Sequence, residues 1–283
     1  MRSAPIRFEH VFGSSDISRY RAVELTRKRD SMLTALQTSS SMALEQVQSY
    51  ESALSKTVRM LHDRSHRTSL QHQPCFAWNE YESPCWYFEW SGVLETAYQL
   101  QLEQGRKSAA EQDFVGAKAH LDAALATLKR RRKIVDKWLW KHPDAPLWTT
   151  QAYVKAQTKF AKALRAMTIL RHCENVEEAT SEQLYNAAMN IETLAHTAGS
   201  LIPDEATLEL LEQGRVLRAW WKAHCLWDAG EHGAAIGLAT AWKGVSVAKT
   251  SWYASPEWDA KLHDWRHDND NIYYEKITTP TSI

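Results

Sequence analysis

The scarcity of chain-breaking residues is the feature that most constrains the fold of this chain. Only 10 glycines and 8 prolines occur among 283 residues, whereas strong helix formers such as Ala, Leu, Glu, Gln, Lys and Arg fill long stretches. Glycine and proline mark most turns, so the turns must be few and the elements between them long. The sequence therefore predicts an all-α protein.

Apolar residues repeat at helical spacing in most of these stretches. Over residues 42–63, for example, Val47, Tyr50 and Leu54 follow one another at intervals of three or four, which places them on one helix face. Residues 64–85, rich in His, Ser, Gln and Pro, are predicted to form a loop or crossover. The same reasoning predicts helices over residues 16–38, 42–63, 86–111, 114–141, 148–173, 181–198, 204–229 and 231–249.

The domain organisation follows from composition along the chain. Residues 1–15 lack periodicity and are predicted to form an irregular lead-in. Composition does not shift later as it does at a flexible linker, so residues 16–283 are predicted to form a single domain. Antiparallel helices joined by short turns suggest a solenoid with a tetratricopeptide-like core. No repeat of about 34 residues, the tetratricopeptide period, can be aligned, so the predicted solenoid is irregular.

Charge and cysteine content restrict the classes of partner. Lys plus Arg and Asp plus Glu both total 34, so no overall charge draws the chain to nucleic acid or to an anionic membrane. Cys75, Cys85, Cys173 and Cys225 have no metal-ligand spacing and are expected to be reduced thiols. The sequence shows neither a long apolar span nor the apolar core of a signal peptide. A cytoplasmic protein is therefore expected.

Two histidine pairs have a spacing that metal sites use. His62/His66 and His263/His267 each lie four residues apart, which places two imidazoles on one helix face. Neither pair has the glutamate of a His-Glu-x-x-His motif. We therefore expect solvated or capping histidines and no metal site.

The acidic residues near the end of the sequence keep an enzymatic alternative open. Asp264, Asp268 and Asp270 are similar to the magnesium-binding motif of helical prenyl-transfer enzymes. Such an enzyme needs a second acidic motif and an apolar cavity, and the sequence offers no convincing second motif. Glycine-rich phosphate loops and nucleophile motifs are likewise missing from the sequence. The prediction is a protein without catalytic residues or a cofactor.

One dense basic run could contact phosphate groups of lipid or nucleic acid. In a helix its five side chains point all around the axis, which favours a solvated segment over a membrane-facing patch. The run consists of Lys129, Arg130, Arg131, Arg132 and Lys133.

A stretch near the end of the sequence resembles the signature of a known family. Asp268-Asn269-Asp270-Asn271-Ile272-Tyr273-Tyr274-Glu275 is similar to the Asp-Asn-Asp-Phe-Ile-Tyr-His-Glu signature of Bro domains. Further matches follow the family's order along the chain. They are Phe76-Ala77-Trp78, Phe88-Glu89 with Val93-Leu94, Ala156-Gln157-Thr158-Lys159-Phe160, and Gly233-Ala234-Ala235-Ile236-Gly237-Leu238. The chain is thus similar to the Bro domain family, typified by Alix, over about residues 42–275. It departs from the family by ending soon after the signature, where Bro domains continue, and a divergent or minimal member is therefore expected.

The resemblance implies a fold and a binding activity. Bro domains are curved helical solenoids that bind the C-terminal amphipathic helix of an Snf-type ESCRT-III subunit, by the helix-in-groove mode. When the groove positions of the family are aligned with this sequence, they fall on Phe160, Leu184 and Ala188. The small side chain of Ala188 would make the pocket shallower. This implies a cytoplasmic adaptor recruited to endosomal membranes, with peripheral contact with an anionic membrane as a further possibility. A Bro-like scaffold that serves another complex, as in ambient-pH signalling, remains an alternative.

The signature residues themselves are predicted to be structural. The Asp and Asn side chains would cap a turn, and the apolar and aromatic side chains would pin the tail onto the solenoid. The residues concerned are Asp268, Asn269, Asp270, Ile272, Tyr273 and Glu275.

Overall fold

The computed structural model confirms the predicted all-α class. It describes residues 16–38, 40–69, 83–139, 150–176, 179–243 and 257–278, and these ranges contain helices and turns but no strand. Helices that follow one another in the chain pack together, as they do in a helical solenoid. The helices of the described ranges are α1 Asp16–Thr38, α2 Ser40–Ser69, α3 Ser83–Ala110, α4 Phe114–Ile134, α5 Gln151–Val176, α6 Ser181–Leu201, α7 Glu205–Asp228, α8 His232–Trp242 and α9 Trp258–Thr278. A π-helical turn, Val135–Leu139, continues α4.

Local capping explains several helix ends that the sequence predicted closely. Thr180 and Gln183 form a reciprocal capping box at the start of α6, with bonds of 3.3 and 3.0 Å. Asp204 and Thr207 do the same for α7, at 2.8 and 3.2 Å. After α7, Gly230 adopts a φ of +79°, a left-handed conformation that glycine accepts without a Cβ penalty.

Two predictions of secondary structure were wrong. The predicted loop begins too early and ends too late, because residues 64–69 continue α2 and residues 83–85 belong to α3. The intervening residues 70–82, which include the Phe76-Ala77-Trp78 match, lie outside the described ranges. The second error is at α9, where the Asp and Asn residues of the signature lie inside a helix and do not cap a turn.

The chain divides into two compact units. The first comprises Met1–Gln104 and Asp122–Val154, and the second comprises Gly105–Leu121 and Lys155–Ile283. The division falls within α3, α4 and α5 rather than at a linker.

The first unit is built on the antiparallel pair α1 and α2. The Ser31 hydroxyl donates to Gln46 across the pair at 3.3 Å. Residues from these helices and from parts of α3, α4 and α5 form one apolar cluster. Its buried members are Leu25, Met32, Val47, Tyr50, Leu54, Val93, Leu94, Ala97, Ile134, Val135 and Val154.

In the second unit, α6 and α7 form an unusually close pair. A Cβ added to Gly214 of α7 would lie 3.0 Å from the Glu192 Cα and 3.1 Å from its backbone nitrogen in α6. The Glu192 carboxylate also reaches Arg218 at 2.9 Å and Arg215 at 3.7 Å. Glycine therefore permits a backbone-to-backbone approach that a larger residue would push apart.

We expect Gly214→Ala to lower the free energy of unfolding by about 1–2 kcal/mol. Overpacking against the α6 backbone outweighs the gain of about 1 kcal/mol in helix propensity. The matched control is Gly237→Ala in α8, where an added Cβ meets nothing within 4 Å; it should be neutral or stabilising. Denaturant unfolding followed by circular dichroism compares the two, and a Gly214 variant as stable as the Gly237 variant would contradict the close-packing argument.

Candidate functional site

Phe160, the first predicted groove residue, is mainly a core residue of the second unit. It is 7 % exposed, and it lies on the buried side of α5 with Ala156, Ala163 and Met167. The guanidinium carbon of Arg106, in α3, lies 5.4 Å from the centroid of the Phe160 ring, within the range of a cation–π contact. Phe160 thus offers a docking partner only a small part of its surface.

Leu184 and Ala188, the other predicted groove residues, lie one turn apart on α6, as the resemblance implies. They begin a buried stripe that continues through Ile191, Ala195 and Ala198. Leu184 is 5 % exposed and Ala188 is fully buried. All three predicted groove residues are therefore in the second unit, and none of them is freely exposed.

The structure does not bring the five basic residues of α4 together at one surface. Arg131 is fully buried. The Arg130 Nη1 atom lies 2.9 Å from a Glu51 carboxylate oxygen, and the Arg132 Nε atom lies 3.2 Å from Asp136. Lys129 and Lys133 are exposed. The five residues therefore do not form one continuous basic surface that could face a membrane.

Arg131 is held inside the first unit by groups from two other helices. Its Nη1 group pairs with the Glu95 carboxylate, and its Nε donates to the Ser91 hydroxyl at 3.2 Å. Its guanidinium carbon is 5.6 Å from the Tyr153 ring centroid. Burial lowers the pKa of Arg131, while the Glu95 charge acts in the opposite direction. A buried, paired cation of this kind fixes how α3 and α4 pack.

A second polar network joins α2 to α3 and α4. Glu51 is 9 % exposed and accepts hydrogen bonds from Arg130 and from the Trp90 indole, the latter at 3.3 Å. One residue earlier, the Tyr50 hydroxyl donates to Glu89 at 2.6 Å. Burial and the adjacent Glu89 carboxylate raise the pKa of Tyr50, so this hydroxyl stays protonated. These contacts specify the packing of three helices.

The signature lies on α9, where its two aspartates face solvent. Asp268 and Asp270 are exposed, as is Asp264, and Asn269 is half-buried. His263 and His267, four residues apart, are 84 % and 71 % exposed. Among the residues described, no group of three or more metal-ligating side chains occurs. The side chains of Ile272, Tyr273 and Glu275, and of His62 and His66, lie outside what the structure describes.

An aromatic cluster that the sequence reasoning missed packs α9 against α7. Trp265 of α9 stacks on Trp227 of α7 with centroids 5.0 Å apart and an interplanar angle of 8°. It also meets the His224 ring edge-on at 5.0 Å. Trp258 of α9 meets Trp220 edge-on at 4.8 Å. We call these five residues, together with Trp221, the α7–α9 aromatic cluster.

Residue spacing was the signal that could have identified this cluster. Trp220, His224 and Trp227 follow one another at intervals of four and three in α7, as Trp258, Leu262 and Trp265 do in α9. Each set occupies one helix face. Two aromatic stripes in a helical chain predict a contact between the helices that carry them.

Comparisons with known proteins leave the family open. Within the described ranges, no helix is long and apolar enough to cross a membrane. No protein-family model, curated protein or solved structure matches this chain.

Proposed function

We propose that this protein is a docking module that binds the C-terminal amphipathic helix of an Snf-type ESCRT-III subunit. The observation that carries the proposal is the ordered series of Bro-like motifs in an all-α chain. The Ala156–Phe160 match falls on α5, and the Asp268–Glu275 match falls on α9. Such an adaptor would act in endosomal sorting, at the membrane where ESCRT-III assembles, without chemistry of its own.

The surface near the carried-over residues suggests how a helix would dock. Phe160 and Leu184 are the two groove residues with some exposed surface, at 7 % and 5 %. Met189, adjacent to the buried Ala188 on α6, is 43 % exposed and could add an apolar contact with the partner. Helix-in-groove binding relies on a few apolar anchors of this kind. Because Ala188 supplies no exposed side chain, the site depends mainly on Phe160.

We expect Phe160→Ala to weaken binding of labelled ESCRT-III C-terminal peptides about two- to threefold, measured by fluorescence anisotropy. The substitution removes the exposed edge of the Phe160 ring. Because only 7 % of the residue is exposed, the lost contact with the partner is worth about half a kcal/mol. An aspartate at this position is a poorer test, because a charge at a buried site would threaten folding.

The matched control is Met167→Ala on the same helix. Met167 is fully buried two turns further along α5, so its truncation also opens a core cavity. If both variants remain helical by circular dichroism, only Phe160→Ala should lose affinity. Equal loss in both variants would place the effect in the fold of α5 rather than at the docking site. No saturable binding by the unmodified chain across a panel of such peptides would overturn the proposed function.

A further inference from the structure

The α7–α9 aromatic cluster contains a half-buried histidine, His224, that is surrounded mainly by indole rings. The His224 ring lies 4.9 Å from Trp220, 4.9 Å from Trp221 and 5.0 Å from Trp265, measured between ring centroids. Its Nε2 atom is shielded from solvent and has no hydrogen-bond partner among the described residues. An imidazolium at this position would bury an N–H group and a positive charge without an acceptor.

The charged groups around the cluster do not reverse the preference of His224 for the neutral form. On α9, the Lys261 ammonium lies 5.6 Å from the Trp265 ring centroid, and its charge opposes a second cation nearby. Asp228 on α7 acts in the opposite direction but more weakly. On α5, the Glu174 carboxylate already accepts the Trp221 indole N–H at 3.0 Å. On α8, the His232 ring lies 4.2 Å from the Trp227 ring, measured between centroids, and adds no negative charge.

We propose that His224 is a proton-sensitive latch: the neutral imidazole allows α9 to pack against α7, and protonation of this side chain favours release of α9. The inference does not depend on the proposed function. Among the α9 side chains that the structure describes, Trp258, Leu262 and Trp265 form the buried face that packs against α7 and α8, and Trp265 touches His224 directly. A charge placed at His224 therefore acts on the contact that holds α9.

The direction of the pH effect follows from proton linkage. While α9 is docked, burial and, to a smaller extent, the positive charge of Lys261 lower the pKa of His224 from 6.5 to about 4. When α9 is released, the imidazole regains contact with water and its ordinary pKa. Above pH 7 it is neutral in both states. As the pH falls from 6.5 towards 4, only the released state binds the proton, so docking weakens through this range. The opening equilibrium should rise roughly 25-fold between pH 7.5 and pH 5.0.

Hydrogen exchange of the full chain, read by mass spectrometry on peptides from α9, tests the latch. After correction for the intrinsic pH dependence of exchange, the wild-type α9 should open roughly 25-fold more at pH 5.0 than at pH 7.5. His224→Gln cannot titrate and should lose most of this difference. The control is His267→Gln, an exposed histidine on α9 itself, which should behave like the wild type.

Two results would overturn the latch. One is a wild-type change in α9 exchange of less than about threefold over this range; the other is an undiminished change in His224→Gln. If that variant fails to fold, nuclear magnetic resonance titration of His224 in the wild type decides the question. A pKa below 5 supports the inference, and a pKa of 6 or above refutes it.

Discussion

Replacing Glu95 with leucine should lower the free energy of unfolding by about 3–5 kcal/mol. The Arg131 side chain is fully buried, and Glu95, 19 % exposed, supplies its carboxylate. Without that carboxylate the guanidinium keeps its charge in a low-dielectric setting, with the Ser91 hydroxyl and the Tyr153 ring as uncharged neighbours. Denaturant unfolding followed by circular dichroism measures the loss.

The double variant Glu95→Leu/Arg131→Met separates the effect of the buried charge on stability from the effect of side-chain packing. Replacing both partners with apolar side chains removes the buried charge altogether, so stability should return to within about 1 kcal/mol of the wild type or exceed it. A control for surface charge is Glu111→Gln, which breaks an exposed pair with Lys107 and should change stability by less than about 0.5 kcal/mol. A double variant as unstable as the single one would show that Glu95 acts through packing alone.

The sequence contained the signal for burial of Arg131, although its immediate neighbours obscured it. A buried stripe runs along α4 and into the π-helical turn that continues it, formed by Leu121, Ala124, Leu128 and Val135. Arg131 lies three residues after Leu128 and four before Val135, in phase with that stripe. Taken together, five consecutive basic residues suggest a segment that is exposed to solvent on all sides. Helical phase distinguishes its members, but the identity of the carboxylate that pairs with Arg131 requires the tertiary structure.

Helix α9 shows the limit of apolar periodicity as a guide. Its residues from Trp258 to Asp270 are mostly charged or polar, and only Trp258, Leu262 and Trp265 mark a buried face. Three apolar positions in a charged segment give a weak helical signal. The partner stripe on α7 and apolar residues of α8 add to the stabilisation, because docking buries indole rings that α9 cannot cover alone.

The burial of the three residues that the resemblance assigns to a groove could not be predicted from the sequence. The resemblance assigned Phe160, Leu184 and Ala188, and the structure places them on α5 and α6 with the expected spacing. Their burial depends on how closely the helices approach, and small residues such as Gly214 and Ala195 allow that approach. A sequence pattern identifies which face of a helix is apolar, whereas the tertiary structure determines whether that face is core or binding surface.

Trp265→Ala should lower the free energy of unfolding of the second unit by about 3–5 kcal/mol. The side chain is 2 % exposed, stacks on Trp227 and contacts His224. Removing it deletes the largest buried side chain of α9 and leaves a cavity between two helices. Circular dichroism is the appropriate probe for denaturant unfolding, because the substitution itself changes tryptophan fluorescence.

The loss of stability in Trp265→Ala should be confined to the second unit. This locality distinguishes release of α9 from general destabilisation. Trp242→Ala provides the control. Trp242, in α8, is only partly buried and packs against the apolar cluster that contains Trp265, so its truncation should cost clearly less. In hydrogen exchange, Trp265→Ala should raise exchange in α9 while α1 and α2, in the first unit, keep their protection. A loss below about 1.5 kcal/mol, or equal deprotection of α1 and α9, would mean that Trp265 does not anchor α9. The latch at His224 would then lack the contact through which its charge acts.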